Sequence, residues 1–257
     1  MATIEIVIVP CRTDNYAYLV RSGDAVGVVD PSDEAPVADA LDARSWTLTH
    51  VLNTHHHGDH TGGNLGLKAR YGDVLILGPM ADMERIPGID VALAAGETVA
   101  FGETDVTVLD IPGHTKGHIA FWFTRAGEVF TGDTLFAMGC GRLFEGTPRQ
   151  MLTSLTQLGR LPGPTRVWCG HEYTESNGRF ALTLEPGNEA LQRRMDEVQA
   201  RRAAGEPTIP STIDIERRTN PFLRWHSREI RQGLGMVDAP DVAVLAEMRR
   251  RKDHFRG

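Results

Sequence analysis

The stretch VLNTHHHGDHTGG, residues 51–63, places four histidines and an aspartate within six positions, directly after a short apolar run. Along an extended segment, side chains two apart share a face, so His55 and His57 can present their rings to one point while His56 faces elsewhere. Gly58 permits a sharp turn, after which Asp59 and His60 open a helical stretch and can point toward a second position nearby. One short segment can therefore offer ligands to two metal ions. Imidazole and carboxylate are the donors that zinc and its first-row neighbours take.

Three later positions repeat one form: an apolar run, a glycine, then a ligand-type residue. VTVLDIPGH ends on Gly113 and His114, EVFTGD on Gly132 and Asp133, and RVWCGH on Gly170 and His171. Glycine lets the chain turn sharply at a strand end, where α/β sheets commonly hold their active sites. Five histidines and two aspartates would then converge from four strand ends. Any one of them alone reads more simply as a surface or core polar residue; the joint pattern carries the metal reading.

Such ligands need strands that stop where they begin. Up to about residue 171 the chain alternates β-rich runs with turns: TIEIVIV, AYLV, AVGVVD, THVLNT, VLIL, DVTVLDI, HIAFWF, EVFTGD and RVWCG. Helical stretches are expected at about 34–44, 62–71 and 147–159, and the mixture predicts layered α/β packing. After residue 171 the β-rich runs stop. Helices are expected at about 173–184, 187–203 and 239–254, around a turn-rich AAGEPTIPST. The chain therefore divides into a ligand-bearing domain, 1–173, and a helical domain, 174–257.

Composition narrows the function classes. The 257 residues are 41% hydrophobic and 24% charged, ordinary for a globular protein, and the net charge of −7 argues against broad binding to nucleic acid or anionic membrane. No apolar run is long enough to cross a bilayer, and MATIEIVIVPCR lacks the zones of a signal peptide, so a cytoplasmic location is expected. Cys11, Cys140 and Cys169 suggest neither a disulfide framework nor a cysteine-only metal site. The closing AEMRRRKDHFRG carries five Lys/Arg against Glu247 and Asp253, which alone reads as a solvated helix end with cations favourable to its dipole.

Thr54, His55, His57, Asp59 and His60 meet in full the T-H-x-H-x-D-H signature of the metallo-β-lactamase superfamily, which the chain resembles. The resemblance implies an α/β fold, the αβ/βα sandwich, with a C-terminal helical domain. It also implies two divalent metal ions, zinc foremost with iron or manganese as alternatives: His55, His57 and His114 on one, Asp59, His60 and His171 on the other, and Asp133 bridging. Longer segments, AMGCGRLFEGT (137–147), CGHEYT (169–174), TNPFLR (219–224) and RRRKDHF (249–255), are similar to the glyoxalase II, or hydroxyacylglutathione hydrolase, family over nearly the whole chain. That resemblance implies a thioester hydrolase acting on S-(2-hydroxyacyl)glutathione such as S-D-lactoylglutathione, releasing glutathione and D-lactate in the second step of methylglyoxal detoxification. The attacking group would be a metal-bridging hydroxide oriented by Asp59.

The same resemblance makes 174–257 a substrate-binding domain. Arg142, Phe144, Tyr173, Arg249 and Lys252 would line the glutathione site, the cations meeting its carboxylate. The chain departs from the family where a Phe-Tyr pair is often found, having Leu143-Phe144, and where the loop cation is often lysine, having Arg142. A monomer without nucleic-acid or membrane partners is expected. Alternatives are a metallo-β-lactamase, a persulfide dioxygenase or other hydrolase of the superfamily, a nucleic-acid-processing relative, and a metal-binding module without turnover. Cys140, between two glycines and paired with no base, reads as a packing residue.

Overall fold

The computed structural model describes residues 4–257; Thr3, which opens the first expected strand, lies outside them. The chain forms two compact units, one running to Asp110 and including Lys116–Gly132, the other comprising Ile111–Thr115 and Asp133–Gly257.

In the first unit, β1 (Glu5–Cys11), β2 (Asn15–Ser22), β3 (Ala25–Val29), β4 (His50–Leu52), β5 (Leu75–Pro79) and β6 (Val91–Leu93) form a six-stranded sheet in that order. β1 to β3 pair antiparallel and β3 to β6 parallel. Parallel neighbours cannot be joined by a tight turn. The helices α1 (Glu34–Asp42), α2 (Gly58–Thr61) and α3 (Asn64–Tyr71) accordingly fall in the β3–β4 and β4–β5 connections. Leu19, Val28, Val37, Leu41, Val51, Leu67 and Ile76 are fully buried in one cluster, each contributing about 1.5–3 kcal/mol by burial. This packing pins the register of β3 on β4, Val29 opposite Leu52, so Asp30 and Asn53 leave the sheet side by side. An antiparallel meander follows: β7 (Thr98–Phe101), β8 (Thr104–Asp110), β9 (Ile119–Phe123) and β10 (Glu128–Gly132).

The second unit contains the small hairpin of β11 (Leu135–Phe136) and β12 (Gly139–Cys140), the pair β13 (Arg166–Cys169) and β14 (Ser211–Thr212), and six helices. These are α4 (Pro148–Gly159), α5 (Thr174–Leu184), α6 (Glu189–Ala203), α7 (Ile213–Thr219), α8 (Arg228–Leu234) and α9 (Asp241–His254). Thr147 and Gln150 close a capping box that starts α4. Met138, Ala181, Leu191, Met195 and Val198 form the core between α5, α6 and the hairpin.

Helices α7 and α8 were not expected, and β14 corrects the expectation that strands end with residue 171. β14 is two residues long and exists by pairing with β13, so no local alternation could announce it. The start of α7 had a readable signal, Thr212 as N-cap, whose hydroxyl accepts from the Ile215 amide at 3.2 Å. Among the described residues no helix is long and apolar enough to cross a membrane.

Candidate metal centre

In the first unit the chain leaves β4 through buried Asn53, Thr54 and His55, and α2 begins at Gly58. His55 Nε2 lies 3.1 Å from His57 Nδ1, and His60 Nε2 lies 3.6 Å from Asp59 Oδ2. Two ligands at about 2.1 Å from one tetrahedral ion stand about 3.4 Å apart, so both pairs have the spacing of a coordination edge. Ligand-type atoms of Asp30, His55 and His60 also gather within 4.8 Å.

The partners behind these residues set their orientation. Asp30 accepts from the Thr54 amide and hydroxyl, both at 2.7 Å, and its Oδ2 stands 3.1 Å from His60 Nδ1. A carboxylate at Nδ1 holds that nitrogen as the donor and turns Nε2 into the acceptor, here on the side of Asp59. Asn15 donates to Asp59 Oδ2 at 3.1 Å. His56 does face elsewhere: its Nδ1 lies 2.7 Å from Oδ2 of the buried Asp82. The buried His118 ring stacks on His55 with centroids 4.5 Å apart. Sequence reasoning missed Asp30, Asp82, Asn15 and His118. Asp30 carried a signal, since it follows the apolar run AVGVV as the later ligand-type residues follow theirs.

In the second unit Asp133 Oδ2 lies 3.5 Å from His114 Nε2 and 3.3 Å from His171 Nε2, one carboxylate oxygen flanked by two imidazole nitrogens. His114 Nδ1 donates to the Arg142 carbonyl at 2.9 Å, which again presents Nε2 as the acceptor. Tyr173 stacks flat on His171, 4.7 Å between centroids, and Phe144 packs edge-on against His114 at 5.2 Å. Both aromatic rings remain exposed.

The glycine argument holds at Gly113 and Gly132 and fails at Gly58. Gly113 and Gly132 have φ of 155° and 47°, conformations that L side chains rarely adopt. Gly58 has no such conformation, and a Cβ there would meet nothing within 4 Å. Helix α2 can begin at that point with any residue, so Gly58 is not what turns the chain.

The closing helix is only partly a solvated end. Arg250 and Arg251 do pair with Glu247 at the surface. Arg249, however, is 5% exposed: it donates to the Cys140 carbonyl, pairs with Asp253 at 3.1 Å and lies over the Phe222 ring. Lys252 is half-buried and donates to the Ser176 carbonyl and hydroxyl, each at 3.0 Å. Burial, reinforced by Arg249, Arg179 and Arg142, pushes its amine down to about 8. Arg142 is exposed and 3.7 Å from Asp253. Burial pushes the Cys140 thiol up to about 11, against the influence of Arg249, which fits packing rather than nucleophilic chemistry.

Comparison with known proteins places this geometry. Residues 12–171 match the metallo-beta-lactamase superfamily, and residues 172–255 match the hydroxyacylglutathione hydrolase C-terminus. A crystal structure of ETHE1 from Myxococcus xanthus is similar with a TM-score of 0.65 and 25% identity, covering 96% of each chain. TTHA1623 in a di-iron-bound form is similar with a TM-score of 0.60 and 27% identity, covering 85% of this chain and all of that one. The protein thus has the metallo-β-lactamase fold, an αβ/βα sandwich with a C-terminal helical domain, and its histidine and aspartate clusters provide a divalent metal site. A hydroxyacylglutathione hydrolase of Methylococcus capsulatus is 55% identical over 256 residues, 99% of this chain and 100% of the relative. The chain belongs to the hydroxyacylglutathione hydrolase family.

Proposed function

We propose that the chain hydrolyses the thioester of S-(2-hydroxyacyl)glutathione, S-D-lactoylglutathione among them, to glutathione and a 2-hydroxy acid. The observation that carries this reading is the 55% identity, end to end, with a relative named for that activity. In this reading His55, His57 and His114 would hold one divalent ion and Asp59, His60 and His171 the other, with Asp133 shared between them. The imidazole and carboxylate donors suit zinc first, with iron and manganese within reach; the relative solved in a di-iron-bound form supports that range. When bound, the ions supply Lewis acidity, lowering the pKa of a water to about 7 and offsetting charge that develops on the thioester carbonyl.

The chain supplies orientation and recognition. Asp30 and the Arg142 carbonyl hold the Nδ1 sides of His60 and His114, and Asn15 steadies Asp59, which orients the attacking water. Lys252, Arg142 and Arg249 meet the glutathione carboxylates. Tyr173 and Phe144 line the glutathione site, packed on His171 and His114 respectively. Because a free thiol ionises near pH 8.5, the glutathione sulfur leaves without a strong protein acid. Residues 1–173 serve as the catalytic domain and 174–257 as the substrate-binding domain, in a cytoplasmic monomer. The buried thiols of Cys11, Cys140 and Cys169 are in keeping with a reducing compartment.

The test is thiol release from S-D-lactoylglutathione by the metal-loaded protein, alongside elemental analysis. The expected result is turnover that a chelator abolishes, with two metal equivalents per chain. Metal binding without thiol release would overturn the enzymatic reading and leave a metal-binding module.

A further inference from the structure

Met138 sits at the tip of the β11–β12 hairpin with φ of 55°, the left-handed region where methionine is rare. A two-residue turn with positive φ at its second central position ordinarily carries glycine or asparagine there. Something outside the turn must hold the methionine in place.

Four side chains, each at least nine-tenths buried, bind the backbone of five consecutive residues around it. Asn220 donates to the Phe136 carbonyl at 3.1 Å and to the Gly139 carbonyl at 2.9 Å. Glu216 accepts from the Met138 amide at 2.8 Å and from Asn220 at 2.9 Å. Asn177 donates to the Ala137 carbonyl at 3.1 Å, and Arg249 to the Cys140 carbonyl. All four are buried, Asn220 and Glu216 completely. Side-chain hydrogen bonds to backbone are common in folded proteins, but a run that saturates one short hairpin specifies its position as well as its shape.

The residues just past the hairpin make its position matter. A Cβ on Gly141 would overlap the Asp133 carbonyl oxygen and come within 3.0 Å of His114 Nδ1, so the strand leaving the hairpin presses directly on two ligand-type residues. The next carbonyl, of Arg142, is the acceptor for His114 Nδ1. The Phe144 amide returns to the His114 carbonyl at 3.2 Å. A shift of the hairpin therefore moves the acceptor that decides which His114 nitrogen is protonated and where Nε2 points.

The geometry points to Asn220 as a positioning residue for the metal ligand His114, acting through the Met138 hairpin and the Arg142 carbonyl. The inference rests on the reading of His114 as a ligand. Loss of Asn220 releases two hairpin carbonyls, the left-handed Met138 relaxes, and the Arg142 carbonyl drifts from His114 Nδ1. Misplacing the partner behind a ligating histidine typically costs about 10- to 100-fold in metal affinity.

The experiment measures affinity for both metal equivalents by zinc competition with a chromophoric chelator, on folded, metal-stripped protein. Asn220→Ala is expected to weaken one equivalent 10- to 100-fold. Asn177→Ala, which removes a single carbonyl bond, should weaken the same equivalent less, and it keeps the test open if Asn220→Ala does not fold. The other metal equivalent should keep its affinity in both variants, which a general loss of stability would not allow. Unchanged affinity in a folded variant, or equal loss at both equivalents, overturns the proposal. Fewer than two equivalents on the unsubstituted protein would instead overturn the binuclear reading itself.

Discussion

The ligand-type residues of the first unit and those of the second are held by different means. His55, His57, Asp59 and His60 lie within six positions, and ionisable or amide side chains back them: Asp30 behind His60, Asn15 behind Asp59. His114, Asp133 and His171 are spread over 58 positions, and their setting is made of backbone and aromatic faces: the Arg142 carbonyl at His114, Tyr173 flat on His171. A dense segment gains its spacing from the short run after β4 and the first turn of α2. Dispersed ligands need loops brought to close approach, which is where glycines without room for a Cβ, such as Gly132 and Gly141, collect.

The sharpest way to break this contrast is at Asp133. Replacing it with alanine removes the oxygen beside both His114 and His171. It is expected to cut kcat/KM about a thousandfold or more, about 4 kcal/mol of transition-state stabilisation, and to reduce bound metal from two equivalents toward one. Asp30→Ala, one step removed from the metals, should cost about 10- to 100-fold in metal affinity. Parallel kinetics and elemental analysis compare them; equal losses would mean that direct ligands and their supports are not distinguishable here.

Next in size is the tail. Lys252→Ala should raise KM for lactoylglutathione by about 10- to 100-fold, the value of one charge-assisted contact, and change it little for a small neutral thioester. The amine is pushed down to about 8, so its charged form is present below that pH and lost as pH rises through it. In the unsubstituted protein KM should therefore climb above pH 8, and that limb should be missing in Lys252→Ala. Arg249→Ala is expected to raise KM too, but it also strips the donor from the Cys140 carbonyl, so metal affinity must be followed with it.

Smaller effects separate the crowded histidines. His56→Ala should leave most turnover in place, because its ring is directed to Asp82, yet lower stability by about 1–3 kcal/mol when that buried carboxylate keeps only Arg85 of the two partners described for it. Denaturant unfolding reads the loss directly. Gly58→Ala is the smallest change: with no positive φ and no neighbour to strike, it should alter unfolding stability by about 1 kcal/mol or less, in the stabilising direction. Gly132→Ala, left-handed and against Thr54 Oγ1, should be clearly destabilising in the same assay.

Legibility in the sequence followed the range of the interactions. The strands bearing the ligands could be read because β-branched runs and the glycines after them are local signals. The ligand-type residues could be read because donor chemistry belongs to the side chain. Short elements escaped: β14 depends on β13, and β6 is a three-residue strand whose place is set by pairing with β5.

By itself the sequence determined the side-chain chemistry of the histidines and aspartates, their spacing across His55, His57, Asp59 and His60, and the family to which the whole pattern belongs. Tertiary structure alone decided which nitrogen His60 and His114 present. The partners that set it come from afar: Asp30, 30 positions before His60, and the carbonyl of Arg142, 28 positions after His114. The tertiary structure also turned Arg249 from a helix-end cation into a buried clamp on Cys140, 109 positions away. A hydrogen bond of that span has no local signature. Its donor and acceptor meet only once burial of the surrounding apolar side chains has fixed the register of strands and helices that carry them.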